Sequence, residues 1–309
     1  MTIWKKKERP VEIIAFMGLL AALDAVMALF GALFPAASLF LLLLIPISSA
    51  LVALLCPYRY LPVFVLAAFG VSMSVSFWNF QSTLFYLLPS LLIGAVYGVL
   101  HRQKFPKTYL IFLVSLAEFG LFYLSVNLMN FLYEIKVQTL LLALFGLTEN
   151  AYSGDIFLLF CLAYSFAQIA LTELVLRFVL KRLGETEEEA KFVPFLSPVM
   201  GLGFLLLVLP FAFFLPSLSY FFLGCGFYFM VASLFENEPL TKIWLHLVMG
   251  ALVFGGVLAF AGFYASCPNN TGLLLCGIPF FGVTLTCLIN ALIVMKKPAS
   301  SVYENAREE

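Results

Sequence analysis

Polar side chains inside long apolar segments are the residues of this sequence that could do chemistry. Asp24 lies within the first apolar stretch, from Ile13 to Phe34, and Glu118 and Glu173 lie within two later stretches. A carboxylate buried at such a depth in lipid is costly, so each of the three should face protein or water. We therefore predict three buried acids: Asp24, Glu118 and Glu173.

Amide and hydroxyl side chains follow helical spacings in the two segments that carry the glutamates. Asn127 lies nine residues after Glu118, about half a turn out of phase on a helix, so the two serve different faces. Glu173 and Arg177 are four residues apart and are predicted to pair. In the same segment, one arc of about 100° is polar, and it contains Cys161, Tyr164, Ser165, Gln168 and Thr172.

The connection SMSVSFWNFQST brings further polar groups to the predicted outer end of the bundle. Ser72, Ser74 and Ser76 alternate with apolar residues, which is not a helical period, so we expect the chain to unwind there. The polar groups could line a pocket for a small polar ligand, or they could be interhelical hydrogen bonds and an interfacial aromatic belt. The candidate ligand-binding residues are Trp78, Asn79, Gln81, Asn127, Asn130, Tyr164, Gln168 and Thr172.

Catalytic motifs are not visible in the sequence. Its two histidines, His101 in a basic loop and His246 near a predicted interface, give little support for a Ser–His or metal–His centre. The six cysteines form no CxxC pattern, and a disulfide between Cys267 and Cys276 stays open. With zero formal net charge, nucleic-acid binding has no electrostatic support. We expect no enzyme, no catalytic residue, no cofactor and no metal.

Composition identifies the class of protein. The 309 residues are 63% hydrophobic and only 11% charged, whereas a soluble domain is roughly 25% charged. Repeated apolar runs of about 20 residues favour membrane-spanning helices over a barrel. The predicted fold is an all-α, polytopic integral membrane helical bundle of about ten transmembrane helices, arranged as six plus four.

The distribution of positive charge predicts the topology. Ten spans with a cytoplasmic N-terminus leave only Lys136, of the 17 Lys and Arg residues, on the outside. Both termini are then cytoplasmic, and we expect the protein in the plasma membrane of a bacterium. The predicted parts are a six-helix domain 1–184, a charged linker 185–192, a four-helix domain 193–298 and a tail 299–309. The Pro-rich seventh and short eighth spans could instead form one re-entrant hairpin.

Small residues recur along the first apolar stretch at spacings of three and four. Such a stripe lets another helix backbone approach closely, either within the chain or on a partner protein. The helix-packing residues are Gly18, Ala21, Ala25, Ala28 and Ala32.

The first half resembles a known family. The segments GLLAALDAVMAL, PYRYLPVFVLAAFG and YLLPSLLIGAVYGVL are similar to those of the membrane substrate-binding (S) components of energy-coupling-factor (ECF) transporters. With its second half, the chain more closely resembles the YybS-like membrane proteins of Gram-positive bacteria. The first resemblance implies that Ala21/Ala25 and Ala28/Ala32 match the Ala-x-x-x-Ala pattern with which S components pack on their coupling subunit. The four further spans depart from a six-helix S component.

Three functions follow as hypotheses, and the least supported is an intramembrane enzyme using Asp24, Glu118 and Glu173, since no catalytic spacing is visible. The first is binding or transport of a small solute through the S-component-like half. The second is a non-transport role in assembly or signalling, in which the first helix docks other membrane proteins. The expected partners are the lipid bilayer, a small-molecule ligand or membrane proteins, and no nucleic acid.

Overall fold

The computed structural model describes residues 7, 9–34, 43–103, 105–134, 138–139, 143, 153–183, 195–237, 243–266 and 277–296. Within these ranges the chain forms ten α-helices and no β-strand, as the all-α prediction requires. Several predicted features lie outside the described residues: the linker 185–192, the tail 299–309, Lys136, Cys267 and Cys276.

Six helices cover the first part of the chain. A proline lies at the first or second position of α1, α2 and α3, where the missing amide hydrogen costs no intrahelical bond. A 3₁₀ turn, Tyr58–Tyr60, precedes α3, and a second, Phe77–Asn79, separates α3 from α4. The six helices are α1 (Pro10–Leu33), α2 (Ile45–Leu55), α3 (Leu61–Val75), α4 (Phe80–Arg102), α5 (Lys107–Tyr133) and α6 (Ser153–Leu183).

Four helices follow in the second part. They are α7 (Leu196–Phe214), α8 (Pro216–Asn237), α9 (Ile243–Ser266) and α10 (Ile278–Lys296). Helix α7 packs against α8, and α10 contacts α7, α8 and α9. At Gly226 of α8, a Cβ would lie 2.7 Å from the Leu205 side chain, so the missing side chain lets α7 pack closely.

In the part of the chain that the structure describes, six helical stretches are long and apolar enough to cross a membrane. They include both α7 and α8, each of which is long enough to span by itself. Large apolar side chains are exposed along the helices, such as Leu66, Phe131 and Phe213. A surface of this kind suits lipid rather than water, so the apolar helices indicate a membrane location. The six stretches are Pro10–Leu33, Tyr58–Val75, Lys107–Leu132, Ser153–Arg182, Leu196–Phe214 and Ser217–Glu236.

The chain divides into two compact units. The first unit comprises Met1–Gly146 and Phe160–Lys191, and the second comprises Leu147–Leu159 and Phe192–Glu309. The start of α6 therefore belongs to the second unit and the rest of α6 to the first. The predicted domain limits, 1–184 and 193–298, stay predictions.

Helix α2 forms the centre of the first unit and is buried along almost its whole length. It packs most closely on α4, where the sequence reads Gly94-x-x-x-Gly98. A Cβ at Gly98 would lie 2.6 Å from the Ala50 carbonyl oxygen, and one at Gly94 would overlap the Pro46 carbonyl oxygen. The two glycines therefore allow the backbones of α2 and α4 to come together.

The expected unwinding at Ser72, Ser74 and Ser76 is wrong for the first two residues. Both lie in α3, which continues to Val75, and only Ser76 marks its end. The serine hydroxyls bond back to their own helix: Ser74 Oγ donates to Gly70 O at 2.8 Å, and Ser76 Oγ to Ser72 O at 2.8 Å. Such bonds let serine remain helical in an apolar setting despite its alternating spacing.

Candidate functional site

A buried group of polar side chains lies near the middle of three helices of the first unit. Ser90 is near the centre of α4, Ser115 and Glu118 lie one turn apart in α5, and Gln168 is near the centre of α6. All four are at most 3% exposed. We call Ser90, Ser115, Glu118 and Gln168 the central polar cluster.

Ser90, on α4, is hydrogen-bonded to a residue of α5 and to a residue of α6. Its hydroxyl donates a hydrogen bond to the Glu118 carboxyl, and it accepts one from the Gln168 amide, with 3.2 Å between Nε2 and Oγ. The sequence gives little signal for this role, because a single serine in an apolar run commonly bonds to its own helix. Sequence reasoning did not select Ser90 or Ser115.

Within the central polar cluster, Oε2 of Glu118 and Oγ of Ser115 are buried without a hydrogen-bond partner among the described residues. No described Lys, Arg or His forms an ion pair with Glu118. Ser90 is hydrogen-bonded to its carboxyl, and Tyr164 is close enough to interact with it electrostatically. A buried carboxyl with so few partners is costly unless a proton or another cation neutralises it. The cluster therefore has capacity for a further hydrogen-bond donor or a positive charge.

Aromatic rings flank the cluster on one side. Tyr164 is buried on α6, and its ring stacks on Phe122 of α5 at 5.3 Å and on Phe160 at 6.1 Å between centroids. Stacked rings fix the relative position of α5 and α6. They also place an apolar wall beside Glu118.

The remaining polar residues of the α6 arc satisfy themselves locally. Thr172 Oγ1 donates to Gln168 O and Ser165 Oγ to Cys161 O, both at 2.9 Å. All members of the arc are buried. Because these hydroxyls are already bonded to their own helix, Thr172 has less capacity to bind a ligand than the central polar cluster.

A second polar group surrounds Glu173 toward the C-terminal end of α6. The Tyr97 hydroxyl donates to Glu173 Oε2, and His101 Nε2 is 3.4 Å from the same oxygen. Lys107 Nζ and Arg177 Nη2 lie 3.9 and 3.5 Å from Oε1. We call these five residues the inner charge cluster.

The predicted pairing of Glu173 with Arg177 is confirmed, but its other partners, Tyr97, His101 and Lys107, were not expected. Sequence reasoning placed His101 in a basic loop, whereas it lies in the last turn of α4, close to Glu173. Tyr97, 76 positions away from Glu173, carried no signal in the sequence. The cluster joins α4, α5 and α6 and compensates the charge of Glu173, so we assign it a structural role.

Asp24 lies in the interior of the first unit, where α1 meets α2. Ser48 Oγ donates to Asp24 Oδ2 at 2.8 Å, and Oδ1 has no hydrogen-bond partner among the described residues. No described cation forms an ion pair with Asp24. This acid is separate from the central polar cluster, because its hydrogen-bond donor, Ser48, does not belong to that cluster.

The predicted outer pocket residues occupy different environments. Trp78 and Asn127 are exposed, and the Asn127 amide donates to Tyr123 O of its own helix at 2.7 Å. Asn79 and Asn130 are partly buried, and the side chain of Gln81 lies outside the described part of the structure. Of the eight candidates, Tyr164 and Gln168 are the two that accompany Glu118.

The small residues of α1 do not all share one environment. Ala21, Ala25 and Ala28 are buried, Ala32 is partly buried, and Gly18 is exposed. Helix α1 packs on α2, α3 and α4, so the chain itself covers the buried alanines. A Cβ at Gly18 would meet no described atom within 4 Å.

The described residues contain no group of three or more His, Cys, Asp or Glu side chains that could hold a metal ion. The oxygen atoms of the central polar cluster come mainly from hydroxyl and amide groups, which such a grouping does not include.

Comparison with known proteins supplies no relative. No protein-family model matches the chain, and no curated protein or solved structure shows a significant match to it. The resemblance to YybS-like proteins and ECF S components therefore stays a prediction.

Proposed function

We propose that this protein binds a small polar solute within its first helical unit and carries it across the membrane. The observation that supports this proposal most is the central polar cluster. It lies near mid-length of α4, α5 and α6, the depth at which many transporters bind their substrates. Ser115 Oγ and Glu118 Oε2, which have no hydrogen-bond partner among the described residues, provide the capacity for a ligand.

Structural hydrogen bonding explains only part of the cluster. The bond from Gln168 to Ser90 could exist simply to hold α6 against α4. It does not explain the buried carboxyl of Glu118 on α5, which has no cation partner in the described residues. A leucine at that position would have a lower free energy of burial in the membrane. Buried polar atoms without partners are rare in proteins and call for an explanation.

The proposed setting is the plasma membrane of a bacterium, with all ten helices crossing or entering the bilayer and both termini in the cytoplasm. The charge distribution supports this arrangement. Cysteine-accessibility labelling in intact cells tests it, with single cysteines at Ser300 and Thr148 in a cysteine-free background. The reagent should label Thr148→Cys from outside and Ser300→Cys only after permeabilisation. Labelling of both from one side would refute the ten-span topology.

A thermal-shift screen of the purified protein tests solute binding. The screen covers vitamins, nucleobases, amino acids and inorganic ions. A ligand at a hundred times its Kd should raise the stability by about 2.7 kcal/mol. Gln168→Ala should weaken that shift, whereas Asn127→Ala, which removes an exposed amide of similar size, should not.

Two outcomes would contradict the proposal. If no solute changes the melting temperature, the first unit has no ligand among the classes tested, and the proposal fails. If Gln168→Ala prevents folding while Ser90→Ala and Ser115→Ala bind every solute as the wild type does, the cluster only holds helices together.

The assembly role remains the alternative, and the position of Gly18 decides how it would work. Because Ala21, Ala25 and Ala28 are covered within the chain, a partner helix would have to approach the exposed face of α1 that carries Gly18. A resemblance to S components would instead predict the alanines as the docking face. We propose no enzymatic activity for either role.

A further inference from the structure

The central polar cluster also has features that indicate the chemical class of the solute. The four residues come from three helices and are at most 3% exposed. A site enclosed to this degree favours a ligand of few atoms. A vitamin or nucleobase would require the helices to separate.

Charge balance restricts the solute further. Glu118 is the acid of the cluster, and no described Lys, Arg or His forms an ion pair with it. One positive charge would neutralise its carboxylate, whereas a divalent ion would leave an excess charge buried in lipid. A neutral solute supplies no such charge, so with a neutral solute Glu118 would have to bind a proton.

The atoms of the central polar cluster that could bind a solute are oxygens. Glu118 Oε2 and Ser115 Oγ have no hydrogen-bond partner among the described residues. Ser115 lies one turn before Glu118 on α5, and Ser90 Oγ lies beside the Glu118 carboxyl through its hydrogen bond to it. Carboxylate and hydroxyl oxygens are hard ligands that suit alkali and similar cations. The same acceptors suit the N–H donors of ammonium.

We propose that the solute is a compact monovalent cation, bound by the Glu118 carboxyl with the hydroxyls of Ser90 and Ser115. This inference rests on the proposed function, because it names the substrate class for the same site. Sodium, potassium, lithium and ammonium share the required chemistry. Asp24 is not part of this site, since its bonded neighbour is Ser48.

The test compares melting temperatures of the full-length protein in chloride salts at constant ionic strength. The salts are those of sodium, potassium, lithium, ammonium and magnesium, and the reference is N-methyl-D-glucamine, a cation too large for an enclosed site. At least one compact monovalent cation should raise the melting temperature saturably. Differences among the four identify which one the site prefers.

Substitutions show where the stabilising cation binds. Glu118→Gln should raise the apparent Kd of the stabilising cation at least tenfold, and Ser115→Ala should raise it severalfold. Glu12→Gln, which removes a carboxylate from the first turn of α1, should leave the Kd unchanged. If Glu118→Gln fails to fold, Ser115→Ala carries the test, because it removes one oxygen without changing charge.

Other results would overturn the inference. Equal cation effects in the wild type, Glu118→Gln and Ser115→Ala would place binding elsewhere. Stabilisation by magnesium alone, lost in Glu118→Gln, would contradict the monovalent class. If only neutral solutes stabilise the protein, and Gln168→Ala abolishes that stabilisation, the cation assignment fails but the proposed function stands. If no solute stabilises the protein, both fail.

Discussion

The close packing of α4 on α2 makes a sharp prediction for Gly98→Ala. A Cβ at this position would lie 2.6 Å from Ala50 O and 2.7 Å from Ala53 Cβ, well short of ordinary van der Waals contact. One of the obstructing atoms is backbone, so the helices themselves must move apart. Overpacking of this kind costs about 1–3 kcal/mol, against a gain of about 1 kcal/mol in helix propensity for replacing glycine.

We therefore expect Gly98→Ala to lower the free energy of unfolding by up to about 2 kcal/mol. The matched control is Gly120→Ala in α5, where a Cβ meets no described atom within 4 Å and the same change should stabilise the protein. Fluorescence-detected thermal unfolding in one detergent measures both. If Gly98→Ala is as stable as Gly120→Ala, α2 and α4 do not pack as described.

Three further predictions concern single side chains. Asp24→Asn should change the stability by less than about 1 kcal/mol in detergent melts, because it preserves the shape and one bonding oxygen; a large loss would show that Asp24 carries a compensated charge. Glu173→Leu should lower the melting temperature far more than Arg177→Gln, since the glutamate has several partners and the arginine is 57% exposed, and equal losses would contradict the inner charge cluster. Ala25→Leu should destabilise the protein by about 1–3 kcal/mol through overpacking, whereas Gly18→Leu should not. Copurification shows whether Gly18→Leu also displaces a partner, and loss of stability in Gly18→Leu alone would contradict the orientation of α1.

Apolar runs were sufficient to predict the helices, because a helix in lipid must satisfy its own backbone and leaves few other solutions. The polar arc of α6 could also be predicted from the sequence, since Gln168 and Thr172 are four residues apart and share one face of the helix. The ends of helices were harder to predict. Helix α3 continues through Ser72 and Ser74, and the hydroxyls of Ser74 and Ser76 bond to carbonyls of that helix.

Tertiary partners could not be read from the sequence. Tyr97 and His101 reach Glu173 because α4 packs against α5 and α6, and no local pattern encodes that arrangement. Ser90 is one of many serines in apolar segments. In α1, alanines and glycine occur around the whole helix, so spacing alone could not distinguish the buried face of Ala25 from the exposed face of Gly18.

Uptake into proteoliposomes tests directly whether the protein transports a cation through the central polar cluster. Vesicles containing the wild type, Glu118→Gln or Glu12→Gln are loaded with potassium or with sodium, and entry of the opposite ion and of ammonium is followed over time. If Glu118 binds the transported cation, at least one cation should enter saturably with the wild type and with Glu12→Gln. With Glu118→Gln, entry should fall to the level of empty vesicles. Uptake that is the same in all three proteins would contradict a transport path through the central polar cluster.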